Sequence, residues 1–581
     1  MVESNKKEID ITLIRPPAVE SFRFATTSIT LPLGLAYISS SLKKRNFKVQ
    51  ILDAVGDNPK NRVAYYKGYL VGSSFSEIIN KVSPYTKYIG ISVIFTHEWP
   101  LVVKMIELLK KKYPYKKVVI GGEHVSAMPE FCLATSKADF IVMGEGEETI
   151  IDLLSYNDVN SQESLNQIKG LGFKINEKIF INSRRKRRTE LDEISFPDWK
   201  NFEVKKYHDN RFVGGMYSEN ITIPILATRG CPYQCTYCSA PNMWLPRWIP
   251  RDPIKVVDEI TYYKKVFNAK NFPFQDLTAI IKKDWIKNFC QEIIKRKLNI
   301  TWQLPTGTRS EAIDDEIAEL LKKSGMTSMA YAPESGSEET RMYIKKRMKT
   351  ENLFNSIDSA SKAKLNVAVF IVIGFPHDNN INLKQNINFI KKLARHGVTD
   401  LSVGYYMALP GTQLFNSLYD SNKIKLNKKY FSHILDSLAI IPSQKYCFNL
   451  TRIKLLYYKV IFLWTFYKEK NESSFLTNLK SLFKLVFYKN THSSKLQTAL
   501  YNAINSMKDT IRSRKKRWIS KKEENNLFAS WDKKYKEIRS IKIATGVVEK
   551  SPEDARELHK VNVISSVVKD HSQEKQFIIS N

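Results

Sequence analysis

Short β-branched runs alternate with amphipathic helical stretches in two blocks of this sequence, and no other feature restricts the fold as strongly. The first block spans residues 1–160. Its predicted helices lie at 33–44 and 101–111, and its predicted strands lie at 11–14, 49–52, 88–93, 118–120 and 140–143. Strands separated by helices favour a parallel sheet covered by helices, so this block predicts an α/β domain.

The second block, residues 221–420, repeats the alternation. Strands are predicted at 223–227, 271–274, 300–303, 328–331, 367–373 and 401–405, with helical stretches such as 314–323 between them. Six βα units predict a partial (β/α)6, TIM-like barrel, an architecture whose chemistry lies at the carboxyl ends of the strands. Residues 161–220 are predicted to be a linker. Its basic run at 184–188 favours a solvated linker face over a nucleic-acid patch.

The last part of the chain is basic and predominantly helical in pattern. Residues 421–550 are predicted to form helices, including an amphipathic one at 475–487, and residues 551–581 a disordered polar tail. The apolar run at 455–467 carries Lys459 and is shorter than the roughly 20 residues that a membrane-spanning helix needs. We therefore predict no transmembrane segment.

Composition limits the compartment and the partners. The six cysteines are too few and too unevenly placed for a disulfide framework, which favours a reducing compartment. The N-terminus shows no apolar run behind a basic start, so no signal peptide is predicted and the location is expected to be cytoplasmic. The net charge of +32, more than half of it beyond residue 420, implies attraction to an anionic partner: nucleic acid, a phosphorylated substrate or a membrane surface.

Three cysteines fall immediately after the first strand of the second block. Cys231, Cys235 and Cys238 have the spacing C-x-x-x-C-x-x-C, and the next cysteine, Cys290, lies far along the chain. Iron–sulfur clusters normally take four thiolates, so three leave one iron open to another ligand. Structural zinc is the alternative, but it usually requires four ligands, often two C-x-x-C pairs, and no second pair follows.

With Tyr237 before its third cysteine, the segment resembles the signature of the radical S-adenosylmethionine (SAM) superfamily. The resemblance implies that the three cysteines hold a [4Fe–4S] cluster whose fourth iron binds SAM. It also implies reductive cleavage of SAM to methionine and a 5′-deoxyadenosyl radical. The implied SAM-binding positions follow the barrel strands in order: Tyr237, Asp276, Arg309, Glu334, Ser335, Gly374, Met407 and Ala408. Asp276 departs from the Gly-Gly-Glu-like element of many relatives.

The first block resembles the Rossmann-like, flavodoxin-like cobalamin-binding domain of class B radical SAM enzymes. The resemblance rests on PLGLAYISSSLKKRNFKVQILDA at 32–54, GGEH at 121–124 and GEGEET at 144–149. The resemblance implies cobalamin-binding loops at Ser92, Gly121, Gly122, Glu123, Gly144, Glu145, Gly146 and Glu147. A domain that keeps the fold and binds nothing is the alternative. A dinucleotide site is disfavoured because no G-x-G-x-x-G follows the first strand.

The expected cobalt ligand differs from that of the wider cobalamin family. That family often places D-x-H-x-x-G after its first strand, whereas this chain has RPPAVESFRF there. The resemblance therefore implies cobalamin without a histidine from this loop. His97 and His124 lie on suitable loops, but we assign neither as a ligand.

These features predict a cobalamin-dependent radical SAM methyltransferase that acts on an unactivated carbon, or on phosphorus. One alternative is a cobalamin-dependent enzyme that closes, rearranges or oxidises rings without net methylation. Another is a nucleic-acid-binding or RNA-modifying protein that uses the basic run at 511–518, which we disfavour. The expected partners are a small-molecule or lipid-like substrate and an electron donor such as flavodoxin or ferredoxin. The basic aromatic C-terminal region also fits peripheral attachment to a membrane surface.

Overall fold

The computed structural model describes residues 8–21, 29–66, 68–156, 161–309, 311–439, 441–470, 518–544 and 577–579. The amphipathic helix predicted at 475–487 lies outside these residues. So does the basic run at 511–518, except for Trp518. Of the tail predicted at 551–581, the structure describes only Phe577–Ile579.

The front of the chain contains one large sheet and one small sheet. Their strands are β1 (Ile9–Arg15), β2 (Ala18–Ser21), β3 (Val49–Asp53), β4 (Arg62–Tyr65), β5 (Gly68–Val71), β6 (Thr86–Ser92), β7 (Lys117–Gly121) and β8 (Phe140–Val142). Strands β3, β1, β6, β7 and β8 are neighbours in that order and pair in parallel. This is the flavodoxin-like order, so the predicted fold class of this domain is confirmed. Strands β2, β5 and β4 form the small antiparallel sheet, which the sequence patterns did not predict.

Helices connect and cover the large sheet. They are α1 (Leu33–Lys44), α2 (Ala54–Asp57), α3 (Phe75–Lys81), α4 (Trp99–Lys112), α5 (Glu123–Ala127), α6 (Pro129–Thr135) and α7 (Glu147–Ser155). The buried side of α4 carries Leu101, Val102, Met105, Ile106 and Leu109 at helical spacing, which explains why this segment forms a helix against the sheet.

The region predicted to be a linker contains folded elements. After α8 (Gln162–Asn166), strands β9 (Leu171–Ile175) and β10 (Lys178–Ile181) form a hairpin that pairs antiparallel with β8 and extends the large sheet. Strand β18 (Phe577–Ile579) pairs with the outer edge of β10. The helix α9 (Val204–Asp209) then leads toward the second block.

The second block forms a parallel sheet with helices between its strands. After the short pair β11 (Thr228–Arg229) and β12 (Ile249–Pro250), its strands are β13 (Asn271–Pro273), β14 (Thr301–Thr308), β15 (Met326–Glu334), β16 (Asn366–Ile373) and β17 (Asp400–Tyr405), in spatial order. The sixth predicted strand, at 223–227, runs beside β13 through two isolated parallel bridges, at Thr222 and Ile225. The six predicted segments thus lie side by side in chain order.

The barrel helices fall between these segments. They are α10 (Ala240–Trp244), α11 (Pro253–Phe267), α12 (Lys283–Lys295), α13 (Asp315–Lys323), α14 (Glu338–Tyr343), α15 (Thr350–Lys362), α16 (Asn380–Arg395) and α17 (Gln413–Asp420). Asp314 caps α13 by accepting a hydrogen bond from the backbone N–H of Ile317. Cys132, Cys290 and Cys447 are all buried, as small apolar residues would be.

The C-terminal helices pack on both blocks. They are α18 (Lys428–His433), α19 (Arg452–Glu469), α20 (Lys521–Phe528) and α21 (Trp531–Ala544). On α21, Arg539 pairs with Asp420 at 2.7 Å, and Trp531 packs edge-on against Phe131 of α6. The helical pattern of this region is confirmed for the described part. No helix in that part combines the length and the apolarity needed to cross a bilayer.

Candidate active site

Residues 231–238, which carry Cys231, Cys235 and Cys238 and are called the cysteine loop below, lie at the carboxyl ends of the barrel strands and are held on two sides. The backbone N–H of Thr236 donates to the carbonyl of Ile344 (3.1 Å), and the carbonyl of Thr236 accepts from Leu414 (3.0 Å). Gly230, directly before Cys231, has φ +87°, and a Cβ there would lie 2.2 Å from the carbonyl oxygen of Arg247. Only glycine allows the chain to turn this sharply at this position.

The surroundings of the three thiols suit a cluster that binds thiolates. Burial raises the pKa of Cys231, Cys235 and Cys238, that of Cys238 to about 12. The nearby cations Lys346 and Arg309 act in the opposite direction on Cys231 and Cys235. Metal ligation removes the thiol protons, and adjacent positive charge favours that change. The donor set therefore fits an iron–sulfur cluster.

A single metal ion and a four-iron cluster require different spacings of their thiolates. Within the described residues, no group of three or more His, Cys, Asp or Glu side chains could hold one metal ion. Thiolates around zinc each lie about 2.3 Å from it and therefore close to one another. A four-iron cluster holds its cysteines farther apart because each binds a different iron.

Tyr237 and Glu334 meet beside the cysteine loop. The hydroxyl of Tyr237 donates to Oε1 of Glu334 at 2.7 Å, and its ring packs edge-on against Phe375, which follows Gly374. Glu334 ends β15 with φ 64°, a left-handed conformation that is strained for a residue with a side chain. Lys346 approaches the same carboxylate at 3.4 Å. The prediction that Tyr237, Glu334 and Gly374 contact SAM stays open, but they lie around one site.

Asp276 performs a positioning task in the free protein. Its carboxylate accepts hydrogen bonds from the backbone N–H groups of Ala227 (3.2 Å) and Thr228 (2.5 Å) and from the hydroxyl of Thr228 (2.7 Å). Burial raises the pKa of Asp276 to about 6, although these hydrogen bonds lower it. The side chain thus ties the end of β13 to the segment that enters the cysteine loop, and its predicted contact with SAM remains a prediction.

The remaining predicted SAM residues differ in their surroundings. Arg309 lies over the ring of Tyr233, 4.0 Å from its centroid, on the cysteine loop. Ser335 is buried, and its hydroxyl faces Asn386 at 3.3 Å. Ala408 is also buried, and its carbonyl accepts from Tyr430, while Met407 is partly buried. Arg309 therefore reaches the cysteine loop, whereas the Ser335 side chain is engaged away from it.

A cavity of about 420 Å³ separates the carboxyl edges of the two sheets. All eight predicted cobalamin positions line it: Ser92, Gly121, Gly122, Glu123, Gly144, Glu145, Gly146 and Glu147. The barrel contributes Leu226, Thr228, Arg229, Gly230, Met243, Trp244, Gln275 and Leu277 to the same lining. One cavity is thus bounded by the predicted cobalamin loops and by the residues that precede and follow the cysteine loop.

Two glycines line the cavity for different reasons. Gly122 has φ +127°, and a Cβ there would lie 2.4 Å from the carbonyl oxygen of Val93 on the neighbouring loop. A Cβ at Gly34, in the first turn of α1, would meet no atom within 4 Å, so a side chain there would extend into open space. These loops fit a bulky ligand that lies close to the backbone.

No histidine is among the described residues that line the cavity. His124 is buried behind it, where Nδ1 lies 3.1 Å from the hydroxyl of Thr96, and burial lowers its pKa to about 3. His97 is buried as well. Arg15 and Glu98 line the cavity instead. The last residue of β1, Arg15, thus reaches the cavity just before the loop in which the wider cobalamin family often has a histidine.

Buried ion pairs join the two domains at one rim of the cavity. Arg229 pairs with Glu145 at 3.0 Å and with Glu147 at 2.7 Å, and Arg187 pairs with Glu145 at 2.5 Å. The side chains of Arg229 and Arg187 are each only 5% exposed. Burial would raise the pKa of Glu147, but the charge and hydrogen bond of Arg229 outweigh it and lower the pKa.

The basic run at 184–188 is consequently not a solvated linker face, as its charge pattern had suggested. Arg184 donates to the carbonyl of Ser126, Arg185 pairs with Glu148 and Asp152, and Arg188 pairs with Glu148 and Glu193. Acidic side chains thus neutralise three of its five cations, Arg185, Arg187 and Arg188, largely because the fold brings α7 and the loop before it beside the run. The run is part of the domain junction.

Sequence reasoning missed several residues of this site. Arg229 is the clearest, and Trp244, 5.8 Å from its guanidinium, and Arg187 were also missed. One signal was present: Arg229 is a charged residue between an apolar strand and Gly230-Cys231, where a surface position is not expected. Lys346 had no such signal because the turn that carries it is separated from the cysteines by more than a hundred residues.

Two domain families match this chain on these structural units. The B12 binding domain matches residues 24–154, and the Radical SAM superfamily matches residues 225–390.

Among characterised relatives, the chain is similar to cytidylyl-2-hydroxyethylphosphonate methyltransferase of Streptomyces wedmorensis, with 26% identity over 397 residues, 63% of this chain and 72% of that protein. It is also similar to anaerobic magnesium-protoporphyrin IX monomethyl ester cyclase of Synechocystis sp. This relative is 28% identical over 322 residues, 55% of this chain and 60% of that protein.

Two solved structures share the fold. The cobalamin-dependent SAM radical enzyme OxsB, with aqua-cobalamin and SAM bound, gives a TM-score of 0.61 at 15% identity, over 94% of this chain and 82% of that one. The radical SAM methyltransferase TsrM of Kitasatospora setae, with cobalamin and a [4Fe–4S] cluster bound, gives 0.58 at 14% identity, over 87% of this chain and all of that one. The likeness to both concerns the fold.

The two domain matches account for the cavity and for the cysteine loop beside it. The cofactors of the chain are accordingly a [4Fe–4S] cluster, SAM and cobalamin. A B12 binding domain followed by a radical SAM domain, on the fold of cobalamin-dependent members, places the chain in the family of cobalamin-binding radical SAM enzymes.

Proposed function

We propose that this enzyme transfers a methyl group from SAM, by way of cobalamin, to an unactivated carbon or to phosphorus of a small or lipid-like substrate. The observation that carries the proposal is the cavity between the two carboxyl edges, lined on its barrel side by Arg229 and Gly230, which directly precede the cysteine loop. A substrate in this space would lie between the two cofactors, as methyl transfer through cobalamin requires. The methyltransferase relative supports the same reaction class.

The bound cofactors would supply a 5′-deoxyadenosyl radical and a transferable methyl group, so the protein binds, orients and shields. Cys231, Cys235 and Cys238 would hold the cluster, while Tyr237 and Glu334 form a hydrogen-bonded pair beside it. Gly121, Gly122, Gly144 and Gly146 would let the cavity loops approach cobalamin closely. Arg229 fixes the distance between the two halves through Glu145 and Glu147.

Residues 214–216 of the connecting region form a strap that packs against β13 and β14 and would help to keep water from the barrel. Gln303 of β14 accepts a hydrogen bond from the N–H of Met216 (2.8 Å) and donates to its carbonyl (2.9 Å). A Cβ on Gly215 would lie 2.8 Å from Oε1 of Gln303, so a larger residue there would displace this side chain from its hydrogen bonds to Met216. Excluding water and oxygen protects radical intermediates from side reactions.

Product analysis tests the proposal. The anaerobically reconstituted enzyme is incubated with methyl-labelled SAM and substrates that resemble those of the two relatives, a cytidylylated hydroxyethylphosphonate and a magnesium-porphyrin monomethyl ester. Label in the product, with S-adenosylhomocysteine and 5′-deoxyadenosine formed together, is expected. The triple variant Cys231→Ala/Cys235→Ala/Cys238→Ala should form neither. S-adenosylhomocysteine without any 5′-deoxyadenosine would contradict a radical route.

A cobalamin-dependent cyclase or oxidising enzyme without net methylation is the second candidate. Its support is the cyclase relative, which is slightly more identical to this chain than the methyltransferase, though over fewer residues. This reaction would form 5′-deoxyadenosine without S-adenosylhomocysteine, and no label would enter the product. The same incubation therefore separates the two reactions.

An external protein would deliver the electron that starts each turnover, and we propose a flavodoxin or ferredoxin for this task. Acidic side chains pair with Arg185, Arg187 and Arg188, so the run at 184–188 offers little free charge to a nucleic acid. The alternative of a nucleic-acid function was based on the basic run at 511–518, which lies outside the described residues except for Trp518. Steeply salt-dependent binding of RNA would restore it.

Helix α19 supports the proposal of peripheral attachment to an anionic membrane. Ile453, Tyr457, Val460 and Trp464 lie on one side of it, each more than half exposed, and the helix also carries Arg452, Lys454 and Lys468. Apolar and aromatic side chains with nearby cations are typical of helices that lie on anionic lipid. Trp464→Glu should abolish co-sedimentation with phosphatidylglycerol vesicles, whereas Tyr115→Glu, at an exposed residue of the front domain, should not. Equal binding by both variants would contradict this location.

A further inference from the structure

A basic loop lies directly behind the cysteine loop. It spans residues 342–349, from the last turn of α14 to the start of α15, and its exposure alternates along the chain. Lys345, Arg347 and Lys349 are exposed, Lys346 and Met348 are partly buried, and Met342 is 63% exposed. One surface thus combines three cations with an exposed apolar side chain.

The basic loop contacts the cysteine loop through its backbone. The carbonyl of Lys345 lies 3.8 Å from Sγ of Cys235, and the carbonyl of Ile344 accepts the N–H of Thr236 at 3.1 Å. Only one layer of backbone separates this outer surface from a cluster-binding sulfur. A protein that docks here would bring its redox group close to the cluster.

The cations of this surface are not neutralised within the described part of the chain. No carboxylate there lies within 4.0 Å of a side-chain nitrogen of Lys345, Arg347 or Lys349. The ammonium of Lys345 donates to the neutral Oε1 of Gln413 at 3.3 Å. Arginines at the domain junction, in contrast, have acidic partners. The charge of the basic loop is therefore available to an external acidic partner.

We propose that the basic loop is the docking surface of the electron donor, a small acidic redox protein of the flavodoxin or ferredoxin kind. The inference rests on the proposed one-electron reduction of the cluster. In that step the donor is oxidised by one electron and the cluster at the three cysteines is reduced by one. Complementary charge would steer the donor to this surface, and Met342 would supply an apolar contact at its edge.

Charge reversal on the basic loop tests the docking surface. Arg347→Glu/Lys349→Glu is compared with Lys391→Glu/Lys392→Glu, which reverses two exposed cations on α16. Calorimetric titration with oxidised flavodoxin measures binding without turnover, and 5′-deoxyadenosine formation is measured with reduced flavodoxin and, separately, with dithionite. The loop variant should raise the Kd for flavodoxin by roughly tenfold, since like charges across an interface oppose association. Its dithionite-driven rate should stay at the wild-type value.

The outcomes separate the docking surface from the function. Wild-type flavodoxin affinity in the loop variant would overturn the docking surface, and so would an equal loss of affinity in the α16 variant. A loop variant that also loses its dithionite-driven rate would show a damaged site instead of a docking surface, and that result too would count against the inference. Absence of 5′-deoxyadenosine from the wild-type enzyme with both reductants would contradict the proposed function itself.

Discussion

At the residue scale, Arg229 connects the chemistry to the fold. It follows the first barrel segment, precedes the cysteine loop, and pairs with two glutamates of the front domain. Its guanidinium also lies 5.0 Å from the centroid of the Tyr37 ring. A buried charge of this kind is stabilising only while its partners remain, because removing one partner leaves the others unpaired away from water.

We therefore expect Arg229→Met to destabilise the protein by about 3–5 kcal/mol, measured by urea unfolding at pH 7. Arg188→Gln, which breaks more exposed pairs, should cost at most about 1 kcal/mol. In the wild type, ionised Glu147 stabilises the fold above the pKa that it has in the unfolded chain. This stabilisation is lost as the pH falls through its lowered pKa in the folded protein. The free energies of unfolding of the wild type and Arg229→Met should therefore converge in acid. A difference between them that is independent of pH would refute the ion-pair explanation.

Glu98 predicts a second dependence on pH. Burial raises its pKa to about 7, against the opposing charge of Arg15. A carboxyl with a raised folded pKa contributes most stability below its unfolded pKa, and this is lost as the pH rises through about 7. In urea unfolding, the free energy of unfolding of Glu98→Gln should therefore exceed that of the wild type by up to about 3 kcal/mol at pH 8 and by little at pH 4. Glu107→Gln, at a side chain that is 42% exposed, is the control. A difference in the free energy of unfolding that does not change with pH would contradict this role of Glu98.

At the element scale, the loops after β6 and β7 form the cavity wall together. Gly122 allows them to cross, because a Cβ there would meet the carbonyl oxygen of Val93 at 2.4 Å. Gly122→Ala should weaken cobalamin binding more than tenfold, because a strained loop costs about 1–3 kcal/mol. The iron content should stay unchanged. Gly34→Ala, with open space around its methyl group, should weaken binding less. Cobalamin binding that is unchanged in Gly122→Ala would contradict this geometry.

Sequence patterns predicted the regular elements well and the irregular ones poorly. The β-branched runs located the parallel strands of both sheets, since such strands are buried on both faces. The hairpin of β9 and β10 was missed because its turn is Asn176-Glu177, both with positive φ, whereas Asn-Gly is the usual signal for that turn. The small sheet of β2, β4 and β5 was missed because its strands are only four residues long.

The parts of the site that depend on the order of strands and loops along the chain could be predicted from the sequence. The glycine loops follow strands, and the carboxyl ends of parallel strands share one edge, so their position at the cavity followed from the sequence. The junction was not predictable: Arg187 and Glu145 are 42 positions apart, and Arg229 and Glu145 are 84 apart. Nothing in the local pattern of either residue specifies such a partner.

At the scale of the whole molecule, the chain is two α/β units whose carboxyl edges face one cavity. Salt bridges from the connecting region and packing by α21 hold the units together. Apolar clusters include residues of both units, so their interface belongs to the core. Such an interface resists opening, which suits a site where two cofactors must stay at a fixed separation.

The most direct test is metal analysis after anaerobic reconstitution with iron, sulfide and hydroxocobalamin. We predict about four irons and one cobalt per chain in the wild type, as a [4Fe–4S] cluster and one cobalamin require. The variant Cys231→Ala/Cys235→Ala/Cys238→Ala should lose the iron and keep the cobalt. Wild-type protein that binds iron without cobalt, or a variant that keeps its iron, would contradict the assignment of one cofactor to each side of the cavity.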